Sequence, residues 1–188
     1  EGREIIGKIK PLYNYLRGGY LIYKQMRITN NYYFFWGNES SFSNFWKPED
    51  KAVIDLGEHG VFTSSEQVYT YKKAMYFNDF RAAKAIRDAV TPKEAKSLGR
   101  KVKGFSRSRW DKVCYYYMTE TLEHKLEFMP EFKRELKGSA GKILVEASPM
   151  DSIWGIGLGE DDLDVENEAE WGKNLLGLAL MKVRFGVL

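Results

Sequence analysis

The side chains of this 188-residue chain best suited to chemistry are carboxylates, aromatics and an amide placed in loops or at the ends of elements. Glu66 follows the hydroxyl run Thr63-Ser64-Ser65, Asp151 sits in the loop Ser148-Pro149-Met150-Asp151-Ser152, Trp154 stands three residues on, and Asn44 lies in an aromatic-rich loop. Carboxylates without a nucleophile–base pair suit glycosyl transfer, where negative charge stabilises an oxocarbenium-like transition state and a base activates water. Tryptophan offers a flat face for a base or sugar. Other chemistries find little support. Only two histidines exist, His59 in a hairpin tip and His124 in a charged helix, which leaves no triad and too few ligands for a histidine-rich metal site. The single Cys114 falls at an apolar helical position and reads as core. Gly155 to Gly159 lacks the Rossmann spacing, and the acidic run Glu160 to Glu170 lacks the glycine that a calcium loop requires at its sixth position.

The elements that must position these groups follow from caps and periodicity. The hydroxyls at 63–65 are suited to capping a helix that runs to about Asp79, with Glu66 in its first turn and Lys73 two turns along on roughly the same face. Taken alone, Glu66 could do no more than complement the helix dipole. Tyr20 to Ile28 and Tyr32 to Trp36 read as two strands joined by the turn Thr29-Asn30-Asn31. Gly37 to Asp50 is a polar loop whose Phe42, Phe45 and Trp46 should pin it to the core. Ala52–Leu56 and Gly60–Thr63 form a second hairpin. Helices are expected over Phe80–Val90, from Thr91-Pro92 to about Gly99, from a Ser108 cap onward with Trp110 near its start, from Pro130 to Gly138, and over Gly172–Phe185. Lys142 to Ala147 is the one strand-like run in the second half. There is no repeat and no linker.

Length and an aromatic content of 15% bound the chain to one globular domain, helix-rich with a small sheet. No apolar stretch approaches the ~20 residues of a membrane span, so an intracellular protein without a membrane partner is expected. The net charge of +3 implies little, but its distribution is uneven. Lys96 to Lys112 carries seven cations against Asp111 alone and suits phosphate, while Glu160 to Glu170 reads as a solvated loop.

From about Phe34 to Val187 the chain resembles the NADAR (YbiA-like) family, named for proposed links to NAD and ADP-ribose. The matching motifs are Ser43-Asn44-Phe45, Thr63-Ser64-Ser65-Glu66-Gln67, Lys73, Gly99-Arg100, Trp110-Asp111, Leu144 to Pro149, Asp151 to Gly155, and Gly172 to Gly177 with Met181 and Arg184. The resemblance implies an α+β fold with a small antiparallel β-sheet, a domain spanning residues 31–188, and residues 1–30 as an extension or edge segment. It implies an N-glycosidase that needs no metal and no cofactor. One branch of the family is linked to phosphorylated riboflavin-pathway intermediates, and another removes ADP-ribose from guanine in nucleic acid. A non-catalytic ADP-ribose-binding module is the alternative from another class.

Carried over by position, the resemblance makes Glu66 and Asp151 the catalytic acids, with roles that could be exchanged. Asn44, Lys73, Trp110, Trp154, Arg100 and Gly155 become substrate-binding positions, although Trp110 could equally be core and Arg100 could serve phosphate or structure. The basic, aromatic-flanked stretch at 96–112 favours ADP-ribosylated guanine in nucleic acid as the substrate. Two departures stand out: Gln67 where many relatives have His, and a long acidic insertion between Gly159 and Gly172 that could cover or gate the pocket.

Overall fold

A computed structural model describes residues 27–187 and two short N-terminal strands, β1 (Asn14–Arg17) and β2 (Tyr20–Tyr23), which pair antiparallel. The expected extension at 1–30 therefore lies largely outside the described residues. The chain continues through β3 (Tyr32–Phe35), β4 (Ile54–Asp55), β5 (Val61–Phe62), α1 (Ser65–Tyr76), α2 (Phe80–Arg87), α3 (Pro92–Gly99), α4 (Arg107–Trp110), α5 (Cys114–Phe128), α6 (Pro130–Gly138), β6 (Ile143–Glu146) and α7 (Leu175–Phe185). The fold is α+β, with helices dominant.

The pairing of β3 departs from expectation. Toward the segment before it, β3 makes an antiparallel contact at Ile28 and Tyr33, with Phe34 N–H donating to Arg27 O, but its ladder is a parallel one with β6 from the other end of the chain. β4 with β5, and β1 with β2, are antiparallel, so among the described residues the small sheet expected to be antiparallel is three separate two-stranded pairs, one of them parallel. The β3–β6 pair is a partition. Tyr33, Phe35 and Leu144 point into the main core with the helices, while Phe34 and Val145 point the other way, onto Ile156 and Val165. Alternation along a strand dictates this division.

Helix starts follow local chemistry. Ser64 Oγ accepts from Gln67 N, Asp79 accepts from Ala82 N, and Thr91 accepts from Glu94 N one residue before Pro92. The start expected at Ser108 is corrected. Ser106 caps the single turn of α4, its hydroxyl also meets that of Ser108, and the long helix begins afresh at Cys114. The last helix begins at Leu175 rather than Gly172. Asn174 is held at φ +47°, with its amide accepting from Glu146 N and donating to Leu144 O. α1 is the central element, packing on α2, α3 and α5. Gln67 on α1 donates to the carbonyls of Ile86, Arg87 and Ala89 while its Oε1 accepts from Thr63 N. It serves the joint between α1 and α2.

The acidic insertion lies on the side of the partition away from the cavities described below. It backs the far face of the β3–β6 partition, where Val165 is buried and Trp171 packs edge-on against Tyr32 and Phe34. Arg27 pairs with Glu166, and Tyr32 donates to Glu168. No residue of 160–170 lines the cavities described below.

Candidate active site

Two adjoining cavities open on the helical side of the partition. The inner one, about 300 Å³, is lined by Glu66, Glu146 and Asp151 together with Asn44, Lys73 and Trp154. The outer one, about 740 Å³, shares Phe45, Lys96, Arg100, Glu146 and Asp151 with it and adds Lys47, Lys93, Trp36 and Met150.

Glu66 occupies the first turn of α1, and its backbone N–H donates to Asn44 O at 3.0 Å. This bond ties the aromatic-pinned loop to the helix start. The side chain is only 7% exposed, and burial pushes its carboxyl up to about 7. Lys96, Arg100 and Lys73 oppose that rise, and Asp151 adds to it. Lys73 is itself buried enough to be pushed down, while Glu66 favours its charged form. Its ammonium donates to Gly99 O and lies 4.2 Å from the Phe105 ring centroid.

Glu146, at the end of β6, completes the acid cluster and was absent from the candidates named above. Residues two apart on a strand share a face, so Glu146 follows Leu144 toward the helices and emerges where the partition ends. Burial, with Asp151 and Glu66 nearby, pushes its carboxyl up to about 8. The signal was present in the sequence: one charge closing an otherwise apolar strand, Ile143-Leu144-Val145-Glu146.

Asp151 Oδ1 accepts from the backbone N–H groups of Ile153 and Trp154, both at 2.9 Å. That turn holds Trp154 beside the acid, edge-on to Tyr69 at 5.5 Å. Gly155 lines neither cavity. A Cβ there would stand 2.7 Å from Glu146 O and 2.8 Å from Asp151 O, so the glycine lets two acid-bearing segments cross in contact. Trp110 is 6% exposed, and its face is taken by Tyr117, stacked at 5.6 Å and 12°. It still lines the inner cavity. Asn44 donates weakly to Met118 Sδ, and its buried Oδ1 has no hydrogen-bond partner among the described residues. Such an oxygen is costly unless a ligand supplies the donor. The acids do not form a metal-binding group: among the described residues no cluster of three or more such ligands could hold an ion.

Residues 34–187 match the NADAR domain. The chain belongs to the NADAR family. An N-glycosidase of Acanthamoeba polyphaga mimivirus is 35% identical over 163 residues, covering 83% of this chain and 96% of its own. A chloroplastic riboflavin biosynthesis protein, PYRR, of Zea mays is 29% identical over 165 residues, which span 84% of this chain but 25% of that much longer protein. The solution structure of the E. coli protein YbiA superposes with a TM-score of 0.65 at 26% identity, covering 87% of this chain and 89% of YbiA. All of the acid cluster falls within the matched segment.

Proposed function

We propose that this chain removes ADP-ribose from ADP-ribosylated guanine in nucleic acid by hydrolysing the ribose C1–N bond. The broader class needs no proposal: it is an N-glycosidase, a hydrolase acting on N-glycosyl compounds. One observation carries the finer reading. A cavity holding three carboxylates opens directly into a larger lobe lined by Lys47, Lys93, Lys96 and Arg100. A sugar at the acids would then project its phosphates across cations, and a polymer backbone would follow the same face toward Arg107.

The chemistry needs a proton for the departing nitrogen, negative charge near the sugar, and a base for water. Near neutral pH Glu146, with its carboxyl at about 8, is mostly protonated and serves as the acid. Glu66, pushed up less, to about 7, is the acid that ionises more readily; in that form it stabilises the cationic ribose and takes the proton of the attacking water. Water oxygen bonds C1, the C1–N pair leaves with the base, and Glu146 supplies that base's proton. Asp151, fixed by its turn, orients the sugar, and the unspent Asn44 Oδ1 accepts from a ribose hydroxyl. Trp154 walls the base.

The relative named for riboflavin biosynthesis favours a second reading, hydrolysis of a phosphorylated riboflavin-pathway intermediate. A mass-spectrometric assay offering both substrates decides between them. On nucleic acid, three phosphate contacts at roughly −0.7 each in log–log slope raise KM about 20-fold between about 50 and 200 mM salt. A flat salt response, or cleavage of the riboflavin intermediate alone, would remove the nucleic-acid reading.

A further inference from the structure

Lys125, on α5, is fully buried behind the wall of the inner cavity and lines neither cavity. Its ammonium donates to Ser43 O at 2.9 Å and to Ser65 Oγ at 3.1 Å. The remaining surroundings are apolar faces, with Nζ 5.4 Å from the Trp46 ring centroid and 4.9 Å from that of Phe132. Glu135 is the carboxylate that helps to keep it charged, but that side chain is engaged by Ser40, Ser41 and Tyr33. Burial pushes the Lys125 amine down to about 7.

The two acceptors explain what a buried amine does here. Ser43 immediately precedes Asn44, and Ser65 immediately precedes Glu66. Between those neighbours runs the backbone bond from Glu66 N to Asn44 O. One ammonium therefore clamps the loop and the first turn of α1 one residue back from each group that faces the substrate. Stability alone gives little reason for such a group, because an apolar side chain of the same length would suit Trp46 and Phe132 without the cost of burying charge. Orientation does give a reason. Misplacing a reacting group by about 1 Å can cost on the order of 100-fold in rate.

We propose that Lys125 is a positioning residue for the hydrolysis, locking the Asn44 loop onto the start of α1 so that Glu66 is held at the sugar. This inference rests on the reading of Glu66 as acting in the reaction. The test is a double-mutant cycle on the whole chain with Lys125→Met and Glu66→Gln, read by steady-state kinetics, single turnover and thermal melting. Lys125→Met should melt at or above the wild-type temperature and lose about 10- to 100-fold in kcat with KM little changed. In the Glu66→Gln background the same substitution should cost nothing further. Ser65→Ala, which removes one of the two bonds, should lose less than Lys125→Met, and it keeps the test alive if the lysine variant fails to fold. Wild-type kcat in folded Lys125→Met or Ser65→Ala protein would overturn the proposal. So would an equal loss in the Glu66→Gln background, which would show an effect that does not pass through Glu66. Wild-type turnover by Glu66→Gln alone would instead remove the reading of Glu66 itself.

Discussion

Replacing Glu66 with Gln should make the protein more stable and far less active, with a stability gain that depends on pH in a calculable way. The carboxyl sits 7% exposed, and its pKa rises from an ordinary value of 4.5 to about 7 because burial disfavours its charge. A raised folded-state pKa means that the full stability is present below 4.5 and is lost as pH climbs through 7. The interval corresponds to about 3 kcal/mol, at roughly 1.4 kcal/mol per pH unit. Gln keeps the shape and never ionises, so its melting curve lacks that loss. For a domain of this size each kcal/mol moves Tm by about 2–4 °C, which puts the variant about 6–12 °C above wild type at alkaline pH. Near pH 4.5 the two should coincide, and the gap should open between 4.5 and about 7 and then level off. Scanning calorimetry of both proteins across that range checks the shape. Glycosidic turnover of the variant, measured as release of free base, should fall by about 10²- to 10⁴-fold. Equal melting temperatures at every pH, or a variant less stable above pH 7, would refute the claim that burial is what raises this carboxyl.

Glu146 makes the opposite demand on protons in the reaction. If it delivers a proton to the leaving nitrogen, wild-type kcat should decline as pH rises through about 8, and Glu146→Gln should be slow throughout with that alkaline limb absent, as a pH–rate profile would record. The two tryptophans should separate cleanly in paired kinetics and melting. Trp110→Ala, in the aromatic cluster with Tyr69, Tyr76 and Tyr117, should cost about 3–5 kcal/mol of stability. Trp154→Ala, partly open to the cavity, should chiefly raise KM.

What the sequence made legible was local chemistry. Ser64, Asp79 and Thr91 cap their helices with groups two or three residues away, so the starts of α1, α2 and α3 can be read from a few letters. The strand order could not be read that way. Nothing around Tyr32 announces that it pairs with Ile143; the local turn at Thr29 to Asn31, which does form, gives no hint of the parallel partner from the other end of the chain. The place of the acidic insertion is hidden for the same reason. Its charges mark exposure, but Val165 and Trp171 decide where it lies, and their partner is the hidden face of β3.

The site divides along the same line. Glu66 and Asp151 stand out because each sits in a turn or cap, where a carboxylate is conspicuous. Glu146 is disguised by a strand whose other residues are core. It faces the cavity only because parallel pairing with β3 aligns it with Phe35 and directs it with Leu144 toward the helices. Gly155 and Gly177 carry the same dependence one step further. A methyl on Gly177 would sit 2.1 Å from Leu144 O, and one on Gly155 would sit 2.7 Å from Glu146 O, so the edge of β6 away from β3 is closely approached at two points by backbone that tolerates no side chain there. An acid that must stay protonated near neutral pH needs that kind of enclosure, because water admitted beside it would restore its ordinary ionisation. The glycines that make the enclosure close, and the distant pairing that aims the acid into it, therefore belong to the proposed site in the same sense as the carboxylates themselves.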